Sequence, residues 1–456
     1  MKNDKIKKYI FIVLILFLII FLFFYRGKCY LDLWGGLGEK PHFGHDFLKN
    51  HYFYGTLLKN GYTDIYADNI PPQIIEKTGF KSFFPPYYPP LVYAAHIPFS
   101  YMSRGAAVNL YFMLNHIWLF LTVFIVITII QSRNGPTDPD RKYGTYHLIK
   151  KIGLALALTI VFLLFSPVID NLFAGQINIF LTFVISLFVY LYLKERYILC
   201  ALVLAVAINI KIFPVFFLFL FILYKQWKNV GFTLLFTLGL NLPFVFIMSP
   251  VKFYGGLFKW ISTPDWGRMD HTRQTIHFTI VRILNIQAPD SSAFKWVVSL
   301  ITIGIILLII YTIHKNLTCR DKIEKFFLIC LIPFIYLLGS VYVTATHHIL
   351  LLILLAGTLV YFIPRWREYP DIALLTLLLS FLIACFDGEV TNRLNDAIFR
   401  FFILSESFGF YLALLAFFLN IYILKKKAPK LPESFHHEAT EFTKKNTDDG
   451  KWRAEL

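Results

Sequence analysis

The sequence predicts an all-α protein that threads a membrane about twelve times, within a range of eleven to thirteen crossings. Three observations carry this. Apolar residues make up 57% of the 456-residue chain and aromatics 18%, more apolar surface than one water-soluble core could hide. They gather into runs without charge, such as Tyr9–Phe24 and Val297–Tyr311. A hydrocarbon slab of about 30 Å takes roughly 20 apolar residues per crossing helix, and runs of this kind recur from one end of the chain to the other.

Taken in order, the first run follows the basic start MKNDKIKK. It is long, and YRGKCY follows it instead of a small-residue cleavage site, so it reads as an uncleaved first helix. Spans fall near residues 7–25, 108–131, 152–166, 177–194, 198–210, 213–224, 230–249, 296–313, 326–343, 349–363, 371–386 and 398–424. The pair 198–210 and 213–224 is short and reads as one broken helix or as a hairpin that does not fully cross. Residues 89–103 (PPLVYAAHIPFSYMS) are apolar but short and carry Pro and His; they read as a re-entrant or partial span. Residues 1–424 then form one membrane domain. The polar tail 425–456 reads as disordered on the cytoplasmic side, with a solvated His436–His437 pair.

Lysine and arginine collect on the cytoplasmic side of membrane proteins. A cytoplasmic N-terminus and twelve crossings put segments 1–8, 132–151, 194–196, 225–229, 314–325, 364–368 and 425–456 inside. These make up under a fifth of the chain yet hold more than half of its 44 Lys and Arg residues. The +16 formal charge therefore fits span-flanking cations and not a nucleic-acid surface. The five cysteines are scattered, with neither metal spacing nor a disulfide framework. The loop 250–295 holds no HExxH or DxD motif.

This orientation gathers a set of polar residues on the external face. The two long external loops are 26–107 and 250–295. The first carries GHDFLKNHYFYG, with His45 and Asp46, and later YYPP, with Tyr88. The third and fourth spans are joined by SPVIDNLFAGQIN, with Asp170, Gln176 and Asn178. The fifth and sixth are joined through Lys211, and the ninth and tenth through TATHH, with His347 and His348. Each has a plain alternative. Asp46 could cap a helix. The apolar residues around it (Phe47, Tyr54, Leu58) could lie along the lipid interface. Gln176 and Asn178 could bind neighbouring helices, Lys211 could snorkel to the surface, and the histidines could form a solvated helix start. Neighbouring helical residues point about 100° apart, so one histidine at most reaches a given ligand. Lys211 is the most demanding: a lysine between apolar runs must face water, pair with an anion or snorkel. Pro214, just after it, breaks the helix, and a broken helix is tolerated where it lines a cavity or packs in protein. A fixed cation there suits a phosphate, and Arg268 or Arg273 of the second long loop could assist it.

In this order the segments GHDFLKNHYFYGTLLKNGYTDIY, YYPPL, SPVIDNLFAGQIN, ALVLAVAINIKIFPVFFLFLFILYKQWKN and ATHHILLLIL, over roughly residues 40–365, resemble glycosyltransferase family 87. These are membrane enzymes of the GT-C type, related to the polyprenyl-phosphomannose-dependent mannosyltransferases of actinobacteria. The resemblance implies a GT-C fold in a bacterial plasma (inner) membrane, with the active site on the external, periplasmic face. It implies a sugar donor on polyprenyl phosphate and an acceptor that is a glycolipid, a glycan or a protein. It implies no nucleotide, metal or other cofactor, and no nucleic-acid partner. Asp46 matches the family's general base. His347 and His348 match a histidine pair near the active site, although TATHH lacks the tryptophan that usually precedes it. Lys211, with Phe213 and Pro214, matches a lysine–proline pair. Two alternatives remain at this stage. A secondary transporter or lipid flippase could use a broken helix with a lysine for an anionic cargo, and a ligase moving whole glycans would share the donor logic.

Overall fold

The computed structural model describes residues 13, 20, 22–35, 43–67, 69–132, 144–255, 292–315, 321–339, 345–384 and 404–426. All regular structure among them is helical. Arg268, Arg273, most of the first span and the tail beyond residue 426 lie outside the described residues.

The long helices form where apolar sequence runs on without interruption. Helix α1 spans Gly27–Gly35, and α5, Arg104–Gln131, is capped at its start by the Ser103 hydroxyl, which accepts from the Ala106 amide. At 28 residues α5 is about 42 Å long. It and α11 (Trp227–Ile247) are long and apolar enough to cross a membrane. Helices α6 (Gly144–Leu163) and α7 (Ser166–Ala174) meet at a bend of 78° and together make a third, bent candidate. Pro167 explains the bend, because proline can begin a helix but not continue one. Among the described residues, α8 (Asn178–Leu193), α9 (Tyr197–Ile210), α15 (Leu351–Phe362) and α16 (Pro370–Ala384) are apolar but shorter than a full crossing. The connection expected at 167–176 is thus itself helical.

Between α1 and α5 lies the first long loop. A π-helical turn, Phe47–Tyr52, runs into α2 (Phe53–Lys59), followed by short α3 (Pro72–Thr78) and α4 (Pro90–Ala95). Helix α4 and a 3₁₀ turn at Ile97–Tyr101 occupy the stretch expected as a partial span, and α4 packs between α9 and α11. Phe47 and Tyr54 are fully buried, and Leu58 is half-buried against the core. Phe47 stacks on Tyr111 of α5 at 4.4 Å, and Tyr54 packs on Tyr93 of α4 at 4.7 Å. The apolar face expected to lie along lipid is therefore used against the protein. An Asp64–Lys252 ion pair at 2.9 Å ties this loop to the segment after α11.

The break after α9 is present. Lys211 is extended (φ −145°, ψ 147°), a 3₁₀ turn follows at Phe213–Phe217, and α10 is Leu218–Leu223. Helices α5, α8 and α9 pack on one another, and α15 packs on α5. Chain direction sorts the ends. Helix α8 starts at Asn178 and runs about 24 Å to Lys194. Helix α9 returns from Arg196 to Lys211, and α15 leads from His347 towards Arg365 and Arg367. The basic turns therefore gather at the end opposite Asn178, Lys211 and His347.

Candidate active site

Two glycines set the geometry. Gly44 (φ +65°) and Gly175 (φ +70°) are both left-handed, and Gly175 closes α7 as its C-cap. The two backbones touch: the Gly44 amide donates to the Phe173 carbonyl at 2.8 Å. A Cβ on Gly175 would sit 2.7 Å from Phe47 Cβ and 3.2 Å from Gly44 Cα. This contact brings the first loop against the α7–α8 junction, so that Asp46 faces Gln176.

From there a hydrogen-bonded chain runs through four distant segments. His45 Nε2 lies 3.1 Å from Asp46 Oδ1. Gln176 Nε2 donates to Asp46 Oδ2. Asn178 Nδ2 donates to Gln176 Oε1 at 3.0 Å. Lys211 Nζ donates to Asn178 Oδ1 at 2.7 Å and to His347 Nε2 at 3.0 Å. An ammonium can only donate and a carboxylate only accept. The two ends therefore fix both amides, each with its oxygen towards Lys211 and its nitrogen towards Asp46. Accepting from Lys211 places the proton of neutral His347 on Nδ1.

Supporting residues hold the chain in place. Lys211 Nζ also lies 5.7 Å from the centroid of the Tyr88 ring, a cation–π contact. Tyr88 is buried; its amide donates to the Tyr93 hydroxyl at 3.1 Å, and its carbonyl accepts from the Tyr66 hydroxyl at 2.9 Å. Asn171 of α7 donates to the Thr346 carbonyl at 2.7 Å and so fixes the turn carrying His347. Tyr336, on α14 (Ile332–Gly339), stacks on Phe213 at 4.3 Å and meets the His347 ring edge-on at 5.4 Å.

His45, Asp46, Tyr88, Gln176, Asn178, Lys211 and His347 are thus brought together, as the sequence suggests. The cap reading of Asp46 is not what forms: its backbone is helical (φ −70°, ψ −41°) and its side chain makes no cap bond. Nor does Lys211 snorkel, since it is half-buried and hydrogen-bonded. His348 is buried to 1% exposure, whereas His347 joins the chain, as adjacent residues pointing different ways require. Asp170 is half-buried on α7, among none of the hydrogen bonds just described. Asn171 and Tyr336 were not visible to sequence reasoning. Asn171 was one amide in a segment with richer candidates, and Tyr336 lies inside an apolar run that gives no polar signal.

The side-chain exposures of His45 and Asp46 are 32% and 20%, so the carboxylate end is accessible; Gln176 is half-buried and Asn178 is buried. The arrangement offers an accessible carboxylate and a half-buried ammonium, separated by two neutral groups. A base for a hydroxyl and a cation for a departing anion can coexist here.

Comparison with curated proteins finds no match. The family model for glycosyltransferase family 87 matches residues 87–337, a range that includes Tyr88, Gln176, Asn178, Lys211 and Tyr336 and leaves Asp46 and His347 outside it. Because the match takes in more than half of the sequence, the chain belongs to glycosyltransferase family 87.

Proposed function

We propose that the protein transfers a sugar, mannose or another hexose, from a polyprenyl-phosphate donor to an acceptor hydroxyl at the outer face of a bacterial plasma membrane. The observation that carries this reading is the hydrogen-bonded chain linking Asp46 to Lys211 and His347. Asp46 takes the proton of the acceptor hydroxyl. The oxygen attacks the anomeric carbon, the bond from that carbon to the phosphate oxygen breaks, and polyprenyl phosphate leaves with the bonding electrons. Lys211 meets the charge that develops on the phosphate, as a fixed cation does best in a partly desolvated site. Arg268 and Arg273 would add to it from the second long loop. His347, with its Nδ1 proton, donates to the phosphate or orients the acceptor, while His45 and Gln176 orient the carboxylate. Tyr88 and Asn178 hold the lysine.

Among the described residues a single carboxylate, that of Asp46, joins the hydrogen-bonded chain, and one base without a carboxylate nucleophile favours a single displacement with inversion of the anomeric centre. The residues named here ask for no metal or nucleotide. The acceptor is a glycolipid, a glycan or a protein. Sidedness follows from the basic turns at the far ends of α8 and α15: the positive-inside rule puts those ends in the cytoplasm and the site outside. Twelve crossings with both termini inside fit that polarity. Membership of a glycosyltransferase family sets the transporter reading aside.

The test is a transfer assay with the purified full chain and a panel of polyprenyl-phospho-sugars, scoring which donor is consumed. Consumption of a nucleotide sugar, with none of the lipid donors used, would overturn the donor assignment.

A further inference from the structure

The segment bearing Asp46 holds a histidine that the transfer scheme leaves unused. His51 lies in the π-helical turn Phe47–Tyr52, a helix type that recurs at functional sites. It is 0% exposed, and neither ring nitrogen has a hydrogen-bond partner among the described residues. Its ring packs on Tyr88 at 4.7 Å and stacks on His96 at 4.6 Å and 17°. Tyr88 in turn lies beneath the Lys211 ammonium. A column therefore runs from His96 through His51 and Tyr88 to the cation of the site.

The two histidines of the column differ. His96 Nδ1 is bonded to the Val92 carbonyl at 2.6 Å. His51 has no such bond; burial, and then the nearby His96 and Lys211, hold it well below the usual imidazole range. It is neutral, with one N–H and one lone pair to satisfy. A buried donor or acceptor without a partner is costly, and phenylalanine would fill nearly the same volume without that penalty. A histidine here is accounted for when its nitrogens bond to something that the protein does not supply, a water or a group on a ligand.

We propose that His51 is a positioning residue of the donor-phosphate site: packed on Tyr88, its ring bonds a water or a ligand group through its nitrogens when an isoprenyl phosphate is bound, and the ring so fixed keeps Tyr88, and through it Lys211, in the phosphate-binding arrangement. This rests on the phosphate role given above to Lys211. The test uses the full chain in detergent, with farnesyl phosphate as the probe for direct binding and lipid-phospho-sugar kinetics alongside. His51→Phe keeps an aromatic ring and removes only the nitrogens. The expected result is a melting temperature equal to or above the parent's, farnesyl phosphate binding about tenfold weaker, a donor KM raised to match, and kcat within about twofold. His51→Asn, which restores a donor and an acceptor, should recover part of the affinity. Binding by His51→Phe within about twofold of the parent would overturn the proposal. If that variant does not fold, His51→Leu is judged by the same threshold. Lys211→Met separates the two ideas. Undiminished binding by it defeats the phosphate role of Lys211 and this proposal with it. Lost binding by Lys211→Met with intact binding by His51→Phe defeats the role of His51 alone.

Discussion

Replacing Gly175 with alanine should inactivate the protein without touching any polar group of the site. The backbone there has φ +70°, a region that costs a residue with a Cβ about 1–2 kcal/mol. The new methyl would also sit 2.7 Å from Phe47 Cβ, where carbons at rest lie about 3.5–4.0 Å apart. The gap must open by roughly 1 Å, and overpacking of this kind costs about 1–3 kcal/mol. Together the two effects reach about 2–5 kcal/mol, a loss that thermal unfolding in detergent would register. The larger effect is on activity. Phe47 is the next residue after Asp46, so moving it carries the carboxylate away from Gln176. A misplacement of about 1 Å lowers rates on the order of 100-fold. Gly61 supplies the control: it has φ +79°, but a Cβ there meets nothing within 4 Å. Gly61→Ala therefore carries the backbone penalty alone and should keep its transfer rate. Equal transfer rates for the two variants, measured with the same donor and acceptor, would refute the argument that glycine contact sets the position of Asp46.

Other variants probe the chain directly. Asp46→Asn should abolish transfer while the purified protein melts as the parent does, because an amide cannot take the hydroxyl proton; near-normal turnover would remove Asp46 from the base role. Asn178→Ala strands both Lys211 and Gln176. Losing a hydrogen bond to a charged group costs about 1.5–3 kcal/mol, so kcat/KM should fall about 10–150-fold, and a drop of less than threefold would show that the amides are passive. His347→Phe should cost activity with little effect on melting. His348→Phe, at a buried position, should show its main effect in melting; a reversal of these two patterns would exchange the roles of the two histidines. Single cysteines introduced beside Asp46, Lys211 and His347 should all react with a membrane-impermeant reagent added from outside, and labelling of any one only from the cytosol would break the proposed sidedness.

Much of this site was legible because polar residues embedded in apolar sequence are conspicuous. Asp46, Gln176, Asn178, Lys211 and His347 each interrupt or border an apolar run, and the even spacing of runs between them put all five at one membrane face. Pro214 announced the break that frees Lys211. What stayed hidden depends on contacts between distant segments. The Gly44–Gly175 approach requires two backbones to meet across about 130 residues, and neither glycine alone says so. The cap reading of Asp46 was sound locally and gave way because the helix extends back through it. His51 drew no attention in the sequence, and only the folded chain reveals that its ring is enclosed. Helix geometry also differs from the straight crossings that hydropathy suggests: Pro167 turns the α6–α7 pair by 78°.

The two amides between carboxylate and ammonium have a consequence for how such a catalyst stays usable. Opposite charges placed in one poorly solvated pocket would ordinarily collapse onto each other, and each would then be occupied by its neighbour when the reactants arrive. Gln176 and Asn178 act as a spacer that keeps them electrically aware of each other without letting them neutralise. In the proposed transfer, the nucleophile's proton acceptor and the leaving group's anchor are thereby kept ready in the same cleft, each still available for its own half of the substrate pair.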